Sequence, residues 1–100
     1  MTTSAQETAV RLLDVAVALA EQIGFDNLTR DGIARAAGCA LCLPTVRLGQ
    51  KPEMMRNIMR RAIKVRSLPV VAQGLASGDK AARRAPDDLK AEAVAWLASR

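Results

Sequence analysis

The sequence contains no histidine and no tyrosine, and its only aromatic residues are Phe25 and Trp96. It has no nucleophile elbow, no phosphate-binding glycine loop and no cluster of metal ligands. The carboxylates are scattered along the chain and are not paired at a spacing typical of acid–base catalysis. We therefore expect that the chain is not an enzyme and that it holds no metal or cofactor.

Cysteine is scarce, and the two that occur, Cys39 and Cys42, form a C-x-x-C pair. Zinc needs four ligands, which one chain with two thiols and no histidine cannot supply, although two protomers could share such a site. A thiol near a helix N-terminus could also sense oxidants. The interpretation that we prefer is two reduced, mostly buried thiols, as is usual in the cytoplasm.

Long hydrophobic runs are also missing. The longest apolar run covers residues 15–20 and ends at Glu21, whereas a membrane-spanning helix needs roughly 20 apolar residues. The N-terminus lacks the basic, apolar and small-residue order of a secretory signal. We expect a soluble, cytoplasmic protein that makes no membrane contact.

The residues that are present favour helices. Apolar residues make up 50% of the chain and are mainly aliphatic, while runs of β-branched residues are scarce. Proline and glycine are few and lie between periodic segments. The composition predicts an all-α fold, a compact helical domain of five to seven helices that spans residues 1–100 as a single domain.

Apolar periodicity and capping signals place the helices. Ser4 and Glu7 form a capping box at the start of the first helix, and Thr29 is a suitable N-cap for the second. The predicted helices cover about 4–23, 29–37, 41–48 and 70–77, with a short turn or helix at 79–84. A further helix has Pro52 in its first turn and continues to about Val65, and a last helix starts at about 86–88 and continues to about Leu97. The residues expected on the buried sides of the fourth and last helices are Met54, Met55, Ile58, Met59, Ala62, Ile63, Val65, Leu89, Ala93, Trp96 and Leu97.

The positive charge is concentrated in the middle of the chain. Residues 29–66 hold nine basic residues against two acidic ones, a balance of +7, whereas residues 1–28 carry −3 and residues 67–100 carry +1. A basic block of this size is typical of a protein with a polyanionic partner. A solvated helix face would have the same composition.

Residues 28–49 combine two short helical segments and a turn, the arrangement of a helix-turn-helix. Ala34 is small where the two helices would approach each other, and Gly38 suits the turn. The apolar residues that would be buried between the helices are Ile33, Ala37, Leu43 and Leu48. In such a unit the second helix lies in the major groove of DNA and the first one braces it, so we predict a helix-turn-helix at residues 29–48.

Five short stretches support this prediction: Gly24-Phe25, Leu28-Thr29, Ile33-Ala34, Ala36-Ala37-Gly38 and Leu48-Gly49-Gln50-Lys51. Their spacing, without a gap, resembles that of the N-terminal DNA-binding domain of the tetracycline-repressor (TetR) family. The resemblance covers about residues 8–66. It implies a TetR-like region at 1–66 that binds double-stranded DNA, with residues 67–100 completing the core or a dimer interface.

The second half of the unit departs from the family's pattern. Ala40 stands where a Ser or Thr usually caps the recognition helix, and Cys42 stands where Gly is common. Pro44 and Thr45 replace a Leu-Tyr pair, so an early backbone hydrogen bond and an aromatic phosphate contact are lost, and the helix is expected to start late or bend. Residues 67–100 are too few to form both a drug-sized pocket and a dimer interface, so we expect no small-molecule ligand.

Several side chains in this region are suited to DNA. Lys51 matches the family's phosphate-binding lysine, and Thr29 matches a phosphate contact, although capping alone also explains it. Arg47 could fork onto guanine or clamp a phosphate. The full set of residues that we expect to contact DNA is Thr29, Arg30, Arg35, Leu41, Thr45, Arg47, Gln50 and Lys51.

Two further groups leave alternatives open. The stretch 41–43 is unusually apolar for a base-reading surface and could contact thymine methyls or a protein partner; the interpretation that we prefer is that part of it is buried core. Beyond the first turn of the fourth helix, basic residues would flank the duplex or simply be solvated. They are Arg56, Arg60, Arg61 and Lys64.

These observations predict a small DNA-binding transcriptional regulator that acts as a homodimer on a two-fold-related site. The C-terminal helices, with Trp96 and Leu97, would complete the core and contribute the dimer contact. One alternative is a helix-turn-helix scaffold that binds a protein, as an adaptor or anti-repressor. Another is a nonspecific DNA-compacting protein, whose binding would be tight and salt-sensitive without sequence preference.

Overall fold

Seven α-helices and one 3-10 turn make up the part of the chain that the structure, a computed structural model, describes: residues 5–99. In chain order they are α1 (Ala5–Ile23), the 3-10 turn (Phe25–Asn27), α2 (Arg30–Ala37), α3 (Leu43–Leu48), α4 (Lys51–Lys64), α5 (Leu68–Ser77), α6 (Lys80–Arg83) and α7 (Asp87–Ala98). These residues contain no β-strand. The prediction of an all-α domain with five to seven helices is confirmed, while the capping box at Ser4 lies outside the described residues.

Helix α1 is the centre of the N-terminal half. Its apolar residues recur at helical spacing, and Leu12, Ala16 and Ala20 are buried as a result. The helix packs against α2, α3 and α4, and the 3-10 turn that follows buries Phe25. No helix in the described residues is both long and apolar enough to cross a lipid bilayer.

Helix α5 is the centre of the C-terminal half and packs against α4, α6 and α7. Its middle is apolar, and Val70 and Val71 are fully buried. Gly74 lies where α5 packs closely against α4 and α6. A Cβ at this position would lie 2.5 Å from Cε of Met59 on α4 and 2.7 Å from Cβ of Ala82 on α6.

Helix α4 joins the two halves, because it packs against α1 and α3 on one side and α5 and α6 on the other. Two side-chain hydrogen bonds add to this connection. Ser67, which is buried at the start of α5, donates through Oγ to Glu21 Oε2 at 2.9 Å, and Gln73 accepts from the backbone N–H of Phe25 at 2.5 Å. The result is an elongated molecule of 42 × 22 × 21 Å.

The structure corrects the predicted apolar faces at two positions. Val65 lies beyond the end of α4 and is 46% exposed, because the chain turns there through Arg66, which adopts a φ of 57°. Leu97 is exposed on α7, whereas Leu89 and Ala93 are buried as predicted and Trp96 is half-buried.

Candidate nucleic-acid interface

Helices α2 and α3 are joined by a five-residue turn, residues 38–42. Thr29 caps α2 as predicted, since its Oγ1 accepts a hydrogen bond from the N–H of Gly32 at 3.0 Å. Gly38 ends the helix with a φ of 68°, a left-handed conformation that favours glycine. Ile33, Ala34 and Leu48 are buried, so the two helices are packed onto the core.

Helix α3 begins at Leu43, two residues later than predicted. A helix starting at Leu41 would need a hydrogen bond from the backbone nitrogen of residue 44, which proline cannot donate. The first helical bond instead runs from the N–H of Val46 to the carbonyl of Cys42, at 3.1 Å. Pro44 lies in the first turn and is buried, so it shortens the predicted helix.

The residues predicted to contact DNA lie on α2, on the turn, on α3 and at the start of α4. All are exposed except Thr45, which is half-buried. Arg30 and Thr45 are brought together, because Nη1 of Arg30 donates to Oγ1 of Thr45 at 3.1 Å and thereby links α2 to α3. We call this group the α2–α3 surface: Thr29, Arg30, Arg35, Leu41, Thr45, Arg47, Gln50 and Lys51.

Only part of the apolar stretch 41–43 packs against the core. Leu41 is 53% exposed and Cys42 is exposed, because both precede α3 and do not face the core. Only Leu43, which is half-buried, packs against it. The prediction that part of the stretch 41–43 belongs to the core is met by Leu43 alone. The prediction of mostly buried thiols is wrong for Cys42, and Cys39 is half-buried. The described residues contain no group of three or more Cys, Asp or Glu placed to hold a metal ion.

Only a few basic residues of the described chain take part in ion pairs. Away from the α2–α3 surface, Arg61 contacts Asp14 at 2.7 Å, and Arg66 contacts Asp88 at 3.1 Å and Glu92 at 3.2 Å. The hydrogen bond from Arg66 lowers the pKa of Asp88. The cations on the α2–α3 surface make no ion pair with any residue that the structure describes. They are Arg30, Arg35, Arg47 and Lys51.

Sequence reasoning missed two side chains that hold the surface in place. Nη2 of Arg11, on α1, donates to the carbonyl of Ala37 at 2.8 Å, and Nδ2 of Asn57, on α4, donates to the carbonyl of Leu48 at 3.1 Å. These bonds satisfy the last carbonyls of α2 and α3, which have no partner within their own helices. No local pattern indicates either contact, because the partners come from different elements.

Sequence reasoning also missed Val46, which is 64% exposed in the middle of α3. Its position in the helix indicates this exposure. Pro44 and Leu48 are buried one turn apart, so residue 46, halfway between them, faces the opposite side. Val46 thus adds an apolar contact to the α2–α3 surface.

Chemically, the α2–α3 surface offers four cations without carboxylate partners in the described chain, together with hydroxyl and amide groups, to a partner of negative charge. Comparison of the chain with protein-family models, with curated proteins and with solved structures finds no match. The charge and geometry of residues 29–51 are therefore the observations that bear on function.

Proposed function

We propose that the chain is a small cytoplasmic transcriptional regulator that binds duplex DNA through the α2–α3 surface, with α3 in the major groove. The observation that carries this proposal is that four exposed cations lie on α2, on α3 and at the start of α4, and that none of them is in an ion pair with a described residue. DNA phosphates would be their partners, and counterion release would supply most of the affinity.

Two helix N-termini on this surface, those of α2 and α4, support contacts to the DNA backbone. Helix α2 begins after Thr29 and helix α4 begins after Gln50. The free N–H groups of a helix N-terminus favour phosphate, and Lys51 in the first turn of α4 adds a positive charge. These contacts would orient the protein on the duplex without reading its sequence.

Few side chains are available to read bases. Helix α3 has six residues, which corresponds to a length of about 9 Å. Arg47 would fork onto guanine, and the methyl groups of Val46 would contact a thymine methyl. Because one short helix reads few base pairs, a second copy of the chain would be needed for a specific site.

Helix α7 supports a homodimer. Its second half, residues 93–98, contains no charged residue, and a helix that is apolar on all sides is normally covered on all sides. Helix α5 covers one side of α7, while Val94 and Leu97 on the remaining side are exposed. We propose that a second copy covers this side and sets the two-fold symmetry of the DNA site.

The proposal is tested by selecting bound duplexes from a random pool and titrating the selected duplex and a scrambled one at two salt concentrations. We expect a palindromic site and a specificity ratio of about a thousand. R47Q and K51Q should each weaken binding, and a lost phosphate contact should reduce the slope of log affinity against log salt by about 0.9. R83Q is the matched control, because Arg83 is exposed on α6 and lies outside the α2–α3 surface. No binding to either duplex at low salt would overturn the proposal.

A second candidate function is a protein-binding adaptor or anti-repressor. The exposure of two apolar side chains, Leu41 and Val46, on the α2–α3 surface favours it. In that case L41S and V46S would abolish partner binding, while R47Q and K51Q would change little. Equal affinity for the selected and scrambled duplexes would instead indicate nonspecific DNA compaction.

A further inference from the structure

A second basic feature lies between α4 and α6. The two helices line a cavity of about 340 Å³. This volume is at the lower end of the range for small-molecule sites. The residues that line it are Arg56, Arg60, Ile63, Lys80, Ala81 and Arg84.

Four of the six lining residues are cations and none is a carboxylate. Arg56 and Arg60 are one turn apart on α4, and Lys80 and Arg84 are one turn apart at α6, so each pair presents its charges on one face. None of the four forms an ion pair with a residue in the described range. Like charges held together in this way repel one another, and a multiply charged anion would relieve the repulsion.

The remaining lining residues determine which anion fits. Arginine pairs bind phosphate through parallel N–H groups, and lysine adds a point charge. Ile63 and Ala81 give the cavity an apolar part, which would contact a non-polar portion of the ligand. We infer that this cavity binds a small phosphorylated metabolite, with its phosphate between the two helices and its apolar portion on Ile63 and Ala81.

DNA phosphate is the other source of this chemistry, and the experiment below distinguishes the two. Arg56 and Arg60 follow Lys51 by five and nine residues in α4, which places them about 7.5 and 13.5 Å farther along the helix axis, and Arg60 also lines a cleft with Arg47. The expectation of no small-molecule ligand was based on the small number of residues in 67–100. Three of the six residues that line this cavity belong to α4 instead. The inference does not depend on the proposed DNA binding.

The test uses isothermal titration calorimetry of the full chain with AMP and pyrophosphate, and with uncharged adenosine as the probe that lacks phosphate. We expect saturable binding of at least one of the two anions and none of adenosine. R56Q and R84Q should each weaken the binding about tenfold or more. R83Q should leave it nearly unchanged, because Arg83 is the neighbour of Arg84 and does not line the cavity.

Three results would overturn the inference: no saturable binding of either anion, an equal loss in R83Q and R84Q, or a loss of DNA affinity in R56Q and R84Q as large as in R47Q. The last would assign the cavity to the DNA backbone. Folding is checked by thermal unfolding, where neutralising a repelling cation should leave the variants at least as stable as the wild type. If the chain binds no DNA, the titrations with AMP and pyrophosphate still show whether the cavity binds a phosphorylated ligand.

Discussion

Replacing Gly74 by alanine tests the close packing of α5 against α4 and α6. In an ordinary helix interior this change stabilises by about 1 kcal/mol, because alanine has the higher helix propensity. Here the new Cβ would lie 2.5 Å from Cε of Met59 and 2.7 Å from Cβ of Ala82. The methionine methyl can rotate away, but the Ala82 Cβ is fixed to its backbone, so α5 and α6 must separate. Overpacking of this kind costs about 1–3 kcal/mol, so after the gain in helix propensity we expect G74A to be destabilised by up to about 2 kcal/mol.

The assay is urea unfolding followed by circular dichroism, at fixed protein concentration because a dimer would make stability concentration-dependent. A thermal scan should show a decrease in Tm of about 4–8 °C per kcal/mol for a domain of this size. The control is the double variant G74A/A82G, which removes the fixed obstacle and should be less destabilised than the sum of the two single variants. A G74A variant more stable than the wild type, or a cycle without coupling, would refute the reasoning.

Two other perturbations follow from named contacts. T29A should lower the free energy of unfolding by about 1 kcal/mol, because the N–H of Gly32 loses its acceptor. T29S keeps the Oγ and should restore most of the loss; equal instability of the two variants in urea would contradict the cap. The lowered pKa of Asp88 means that its contribution to stability is present at neutral pH and lost as the pH falls through the folded-state pKa, below the ordinary value of 3.8. D88N should therefore be slightly less stable than the wild type at neutral pH and equally stable in strong acid, and a difference that is independent of pH would exclude this linkage.

Local signals predicted most of the helices. Thr29 and Asp79 cap α2 and α6 through their own side chains, and Gly38 and Gly78 end α2 and α5 in left-handed conformations. Each of these four residues acts on backbone groups only a few residues away, so the local sequence is sufficient to predict these helix ends. The sequence offers two effects of the missing N–H of Pro44, a late start or a bend, and the structure shows the late start, at Leu43 instead of Leu41.

Contacts between distant residues could not be predicted in the same way. The exposure of Leu97 depends on how α7 lies on α5, which periodicity does not determine. The cavity between α4 and α6 requires Arg56 and Arg84 to line one depression although they are far apart in the chain. Composition alone indicates that residues 29–66 are basic, but only the packing of the helices pairs Arg61 with Asp14 and places Arg56 and Arg60 beside Lys80 and Arg84.

The hydrogen bonds from Arg11 and Asn57 end on backbone carbonyls, those of Ala37 and Leu48. Every residue type carries such a carbonyl, so these two bonds hold α2 and α3 whatever side chains the helices present to solvent. Positions 46 and 47 can therefore be exchanged without loss of either bond. The residues that hold the two helices thus differ from the residues that would contact a partner. New binding preferences would therefore be able to evolve, or to be selected in a library at these positions, on an unchanged scaffold.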